Sequence, residues 1–251
     1  MKGWGLASAF RTLTIIPLWG KESTSPATAL YWFVPVGAFL GAIISLAGYT
    51  SVALSLPFVG AALIVTLQVI LTRAFHLDGL ADTADGFYGG WTAERRLAIM
   101  KDSHIGAFGV IAVVLALVGK IAAIASVLDS GRWELLFFIP VLSRALLVFQ
   151  SVCNPYARKE GGTASRLVTE SHARHILVTV LWVVLIVILG GLPQWIPLVC
   201  MAGTGILATC WIARTGRRYI GGITGDVLGA TVELSELVMA GVLAVFLALP
   251  I

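Results

Sequence analysis

Asp78, Asp82 and Asp85 follow one another at i, i+4 and i+7 within FHLDGLADTADGFYGGWTAERRLAIMKDSHIGAFG, residues 75–109. On a helix that spacing places all three carboxylates on one face. Like charges so placed repel, and more strongly in a low dielectric. Such a face calls for positive charge laid upon it. For oxygen-only ligands the candidate is a hard divalent cation, Mg²⁺ foremost. The stretch carries five of the chain's thirteen acidic residues, with Glu94 and Asp102 completing the five. Gly86, Gly89 and Gly90 are expected to end the helix and let backbone approach a ligand. Arg95, Arg96 and Lys101 follow, and are candidates to meet phosphate oxygens. An acidic face beside a basic run is what metal-assisted phosphoryl transfer needs.

Two further stretches can contribute. In GGITGDVLGATVELSE, residues 221–236, Thr224 or Asp226 can cap a helix whose first N–H groups could hold a phosphate. Asp226 and Glu233 are seven apart, on one face, which makes Glu233 a further candidate metal ligand. Glu233 and Glu236 fall inside an apolar segment, where an ionisable group is a functional hypothesis by default. In NPYARKEGGTASRLV, residues 154–168, Asn154, Arg158 and Arg166 are candidate anion binders. That signal alone is no stronger than an ordinary basic loop.

The elements that must position these groups are membrane helices. Of 251 residues, 58% are hydrophobic and only 12% charged, and the mean hydropathy is +0.94. A soluble domain is about 25% charged. Long uncharged runs point to an all-α, polytopic helical bundle, a single transmembrane domain over 1–251; a β-barrel would show alternating ten-residue segments. The net charge of +4 reads as loop bias rather than nucleic-acid affinity. Three cysteines give no disulfide framework, and all three are expected to be buried thiols.

Residues 1–20 are too short and polar to span. Leu6, Phe10 and Leu13 share a face opposite Arg11 and Thr12, which predicts an interfacial helix ended at Pro17. A signal peptide fits poorly, because Arg11 interrupts the apolar region. Seven spans are predicted, near 29–49, 56–76, 105–127, 134–153, 175–191, 194–213 and 228–249. The short connections 50–55 and 192–193 predict tight antiparallel pairs. Pro35, Pro57, Pro140 and Pro197 lie in or at spans, where neighbouring helices tolerate them.

Loop charge sets the orientation. Lys2, Arg11 and Lys21 precede the first span. Arg73, Arg95, Arg96 and Lys101 lie in the next loop on that side, Arg158, Lys159, Arg166 and Arg174 in the one after, and Arg214, Arg217 and Arg218 in the last; the other side has only Arg132. The N-terminus and the three polar loops, 77–104, 154–174 and 214–227, are therefore expected in the cytoplasm. Arg144 sits roughly 14 Å from one end of its span and Glu236 roughly 15 Å into the last helix, which predicts an ion pair between them. Lys120 is expected to snorkel outward. His76 and His104, at span ends, are expected to be interfacial hydrogen-bonding residues.

HLDGLADTADGFYGG (76–90), RRLAIMKDSHIGAFG (95–109) and GGITGDVLGATVE (221–233), with FRTLTIIP near the start and PYAR at 155–158, resemble the cobalamin synthases, adenosylcobinamide-GDP ribazoletransferases of the bacterial inner membrane. The resemblance runs nearly end to end. It implies that adenosylcobinamide-GDP and α-ribazole, or its 5′-phosphate, give adenosylcobalamin or its 5′-phosphate with release of GMP. It implies Mg²⁺ as cofactor, while a homo-oligomer stays open. DTADG also fits the first half of the CDP-alcohol phosphotransferase signature, whose second half is not present in that form; the likeness is one of chemistry. On this reading Asp78, Asp82, Asp85 and Glu233 are the metal-ligand candidates. Arg95, Arg96, Lys101, Arg158, Arg166 and Thr224 bind substrate. Asp82 and Asp85 belong to the catalytic set, and Asp102 and Asp226 are the two candidates for the base. The competing class is a transporter using Arg144, Glu233 and Glu236. Against it, the acids gather at one mouth and no inverted repeat is visible.

Overall fold

The computed structural model describes residues 4–20, 24–158, 160–162 and 164–249. Lys2, Lys21 and Lys159 of the expected charge pattern lie outside these residues. The order begins with α1 (Trp4–Leu13), a 3-10 turn (Pro26–Trp32), α2 (Phe33–Ala53) and α3 (Pro57–Leu71). Then come α4 (Phe75–Gly89), α5 (Ala93–Ile99), α6 (Ala107–Asp129) and, after a short 3-10 segment, α7 (Phe138–Cys153). The chain finishes with α8 (Ser165–Thr169), α9 (Ala173–Ile186), α10 (Trp195–Ile220) and α11 (Gly225–Ala248). Among the described residues there is no strand, only an isolated bridge between Tyr156 and Ile223. Six helices are long and apolar enough to cross a membrane, and a seventh if the bent pair α3–α4 counts as one span. Their outer faces carry exposed Leu46, Leu63, Leu115, Leu181, Leu207 and Val245, the surface that lipid covers. The protein is an all-α polytopic membrane bundle.

Several expectations change in detail. Pro35, Pro57, Pro140 and Pro197 all stand in the first turn of a helix, where a missing N–H costs nothing, so they open helices rather than interrupt them. The first helix stops at Leu13, short of Pro17, because the Ile15 N–H leaves it to donate to the Leu71 carbonyl at 2.7 Å. It is also no free surface helix, since Ala7, Ala9 and Leu13 are buried against the 3-10 turn and α2. Arg214, Arg217 and Arg218 belong to the end of α10, not to a loop, and there they complement the helix dipole. Helices α9 and α10 do not form the tight pair expected. The former packs on α7 and the latter chiefly on α11. The thiols were expected buried, but Cys153 and Cys210 are on the outer surface and Cys200 is half-buried.

The break after α3 decides where the aspartates go. Helix α4 leaves at 88°, so the run of residues 77–104 read as a loop begins with most of a helix laid across the bundle. The turn uses Arg73 and Ala74, both at φ +55°, a left-handed conformation that non-glycine residues adopt only when their surroundings hold them. Arg73 is held by α1, its Nη2 donating to the Arg11 carbonyl at 2.9 Å.

The apolar core has two parts. One, around Leu30, Phe33, Leu80, Phe87, Ile223 and Val227, underlies α4. The other, around Ile64, Leu128, Leu136, Met201 and Met239, fills the opposite half. Between them lies a buried ionic cluster. Glu236 on α11 accepts from Arg144 on α7, as expected, and from Lys120 on α6 at 2.8 Å. Ser143 donates to it at 3.0 Å and Gln68 of α3 at 3.4 Å. Lys120 also meets Glu233 at 2.6 Å. Lys120 thus points inward, only 3% exposed, because two carboxylates one turn apart on α11 give it a better environment than the lipid face. Two cations and two anions leave the cluster neutral, and it joins α3, α6, α7 and α11.

Candidate functional site

Helices α4 and α11 meet backbone to backbone. A Cβ on Gly79 would lie 2.7 Å from the Asp226 carbonyl oxygen, and one on Gly229 would lie 3.2 Å from the His76 Cα. Only glycine permits that approach. Its consequence is that Asp226, at the start of α11, joins the aspartate face of α4. Asp82 is half-buried, with the carboxylates of Asp226, Asp78 and Asp85 as its neighbouring anions and Arg158 as the cation. Asp78 is exposed. Such a ring of carboxylates binds either protons or a cation.

The PYAR and GGIT stretches, far apart in the chain, are stitched together above this ring. The Ala157 N–H donates to the Ile223 carbonyl and the Ile223 N–H to the Pro155 carbonyl, each at 2.9 Å. That bridge carries Arg158 inward, where Nη2 donates to Asp226 Oδ2 at 2.8 Å and to the Met100 carbonyl at 3.3 Å. Among the described residues the buried Arg158 Nε has no partner. Thr224 caps α11, accepting the Val227 N–H at 3.3 Å and donating to Asp226 Oδ2 at 3.1 Å. Asn154 accepts from Arg217 Nη1 at 2.6 Å.

The other basic candidates are placed differently. Arg96 lies 4.1 Å over the Tyr219 ring and donates to the Tyr219 carbonyl at 3.3 Å. Lys101 pairs with Glu160 at 3.3 Å, and Arg166 with Glu170 at 2.7 Å and the Thr24 carbonyl at 2.8 Å. Arg95 is exposed on α5, its backbone N–H bound to the capping Thr92. Asp102 is exposed and bound by His104 at 2.6 Å; those hydrogen bonds hold its carboxyl below the usual carboxylate range. His76 is no interfacial residue but buried, and among the described residues its Nε2 has no partner.

Comparison with known proteins decides the family. The cobalamin-5-phosphate synthase family matches residues 5–244. The chain belongs to that family. It is similar to the adenosylcobinamide-GDP ribazoletransferase of Chlorobium phaeobacteroides (strain BS1), 39% identical over 98% of both chains. It is similar to that of Chlorobaculum tepidum, 38% identical over 92% of this chain and 91% of its own. A third such transferase, from Syntrophobacter fumaroxidans, is 38% identical over 94% of this chain and 95% of its own. No solved structure matches significantly.

Two of the four expected metal ligands are otherwise engaged. Glu233 belongs to Lys120, inside the ionic cluster. Asp85, only 6% exposed, accepts the N–H of Gly106 at 2.7 Å and of Gly109 at 2.8 Å, binding the open start of α6 with both oxygens. A Cβ on Gly106 or Gly109 would fall 2.4 Å from this carboxylate. Gly109→Ala therefore displaces Asp85 and is expected to lower stability by about 2 kcal/mol, read as a lowered midpoint in thermal unfolding of the detergent-solubilised protein; an unchanged midpoint would remove this role from Asp85. Asp78 and Asp82 remain as open oxygen donors, and Asp226 adds Oδ1, its Oδ2 being taken by Arg158 and Thr224. No group of three or more metal-binding side chains among the described residues is closed enough to grip an ion alone. Mg²⁺ does not require one, since it keeps several waters and is held by one or two carboxylates together with substrate phosphates. The donor set fits an ion shared with a diphosphate.

The sequence reading missed Lys120 as the partner of the two glutamates and Asp85 as a helix anchor. The first left a signal: two intramembrane acids with one intramembrane arginine leave a charge to balance.

Proposed function

We propose that this chain is a Mg²⁺-dependent transferase that joins adenosylcobinamide-GDP to α-ribazole or its 5′-phosphate, releasing GMP, with its site facing the cytoplasm of a bacterial inner membrane. The observation that carries this reading is the convergence of Asp78, Asp82 and Asp226 with Arg158, from three separate parts of the chain, at one mouth of the bundle. The names of its relatives and its family membership support the reaction; the loop charges support the orientation.

In this mechanism Asp78, Asp82 and Asp226 are the residues that would hold Mg²⁺, which would supply positive charge against the diphosphate and the departing nucleoside monophosphate. Arg158 orients a phosphate through its free Nε while Nη2 keeps Asp226 in place. The ribose 3′-hydroxyl of the acceptor attacks the phosphorus on the cobinamide side; a P–O bond forms there and the P–O–P bond breaks, with GMP as leaving group. We assign the hydroxyl proton to Asp226, which faces the other carboxylates half-buried, whereas Asp102 is exposed and held as an anion by His104. Asp85 positions α4 against α6. Arg96 positions α5 against Tyr219.

A carrier built on Arg144, Glu233 and Glu236 is not favoured, because these groups close on one another and on Lys120 with no charge left over. Purified protein given both substrates should release GMP only when α-ribazole and Mg²⁺ are present. Solute flux into liposomes without any such release would refute the transferase.

A further inference from the structure

Beside the carboxylate ring lies a second cavity, of about 290 Å³. It is walled by α1, the 3-10 turn, α7 and α8, and by the starts of α4 and α11. Gly225, next to Asp226 in the chain, and Phe75 and His76, within one turn of Asp78, all line it, so it adjoins the proposed site. Its walls are mainly apolar, with Phe33, Phe75 and Leu228 among them, yet Arg11 and Arg73 line it too. Arg11 uses Nη2 on the carbonyls of Leu18 and Gly20, and Arg73 uses Nη2 on the Arg11 carbonyl. Among the described residues the other guanidinium nitrogens of both make no hydrogen bond. His76 contributes to the wall at the start of α4, but its Nε2 is buried out of reach of a ligand.

An apolar chamber with two cations suits an aromatic base that carries a phosphate. Size excludes the corrinoid, whose macrocycle and side chains occupy several times this volume. Polarity disfavours guanine, whose edge of donors and acceptors would go unmatched against these walls. A dimethylbenzimidazole nucleotide has no donor on its base, so apolar walls leave fewer of its groups unmatched. We infer that this cavity is the acceptor subsite, with the base of α-ribazole in its apolar part and a 5′-phosphate between Arg11 and Arg73. The inference rests on the transferase reading and extends it by assigning the residues that receive the acceptor.

The test is equilibrium binding of α-ribazole 5′-phosphate and of α-ribazole to the full-length protein in nanodiscs, with adenosylcobinamide-GDP binding as the control for folding. Arg11→Gln and Arg73→Gln should each weaken the 5′-phosphate by about tenfold and free α-ribazole by less than about twofold, a difference matched to one charge-assisted contact. Leu228→Trp, which fills the chamber, should weaken both acceptors and spare the corrinoid nucleotide. Equal effects of the arginine changes on both acceptors, or no effect on either, would overturn the subsite, as would variants that alter only retention of anionic lipid. If Leu228→Trp does not fold, the arginine comparison still decides. Wild-type protein that releases GMP but fails these binding comparisons refutes the cavity alone. Wild-type protein that binds neither acceptor and releases no GMP refutes the transferase itself.

Discussion

Asp82→Asn should reduce GMP release by at least about 10³-fold while leaving the protein as stable as before, or more so. The substitution removes one negative charge from a ring whose members repel one another, so the folded state loses repulsion and no hydrogen bond: among the described residues the Asp82 side chain makes none. On the proposed reading the same removal takes away an oxygen donor for Mg²⁺. Opposite signs for activity and stability are the mark of a site that stores unfavourable charge for use on its substrate. The measurement pairs single-turnover GMP release with thermal unfolding of the same preparation. Asp85→Asn provides the contrast, since it weakens the hold on the Gly106 and Gly109 N–H groups and should lose stability and activity together. Near-normal turnover in Asp82→Asn, or parallel loss of stability in both variants, would dismantle the assignment.

The second large effect belongs to the ionic cluster. Glu236→Leu strands Arg144 and Lys120 against one remaining carboxylate, Glu233, in an interior where each is 2–6% exposed. Removing one member of a buried pair typically costs about 3–5 kcal/mol, because the partner stays charged and unmatched. The lysine–glutamate half behaves differently if taken out whole. Lys120→Met combined with Glu233→Gln leaves the Arg144–Glu236 pair neutral and bonded, so the double variant should be more stable than Lys120→Met alone. A double-mutant cycle on unfolding midpoints reads this coupling directly. Additive losses would mean that the cluster is not one electrostatic unit. This arrangement also argues against a transport role for the intramembrane charges: each is answered within the fold, and together they fix the register of α3, α6, α7 and α11.

The membrane class, the rough limits of six of the seven expected spans and the face shared by Asp78, Asp82 and Asp85 were all legible in the residues. Hydropathy and helical spacing are local properties, and the low-dielectric surroundings of a membrane leave the backbone few alternatives. The Arg144–Glu236 pair was legible for a similar reason, because depth along a helix follows from counting residues. What counting along the chain does not supply is rotation about each helix axis and the angle between helices. Those placed Lys120 inward instead of outward, turned α4 through 88° after α3, and brought the glycines at 79 and 229 into contact. The same contacts sorted the acids by task. Asp85 went to the start of α6 and Glu233 to a lysine, while Asp226 crossed from the last helix to stand with Asp78 and Asp82. Residue type and spacing determined that a carboxylate face exists at all; packing between distant helices decided which of its members remain free to act.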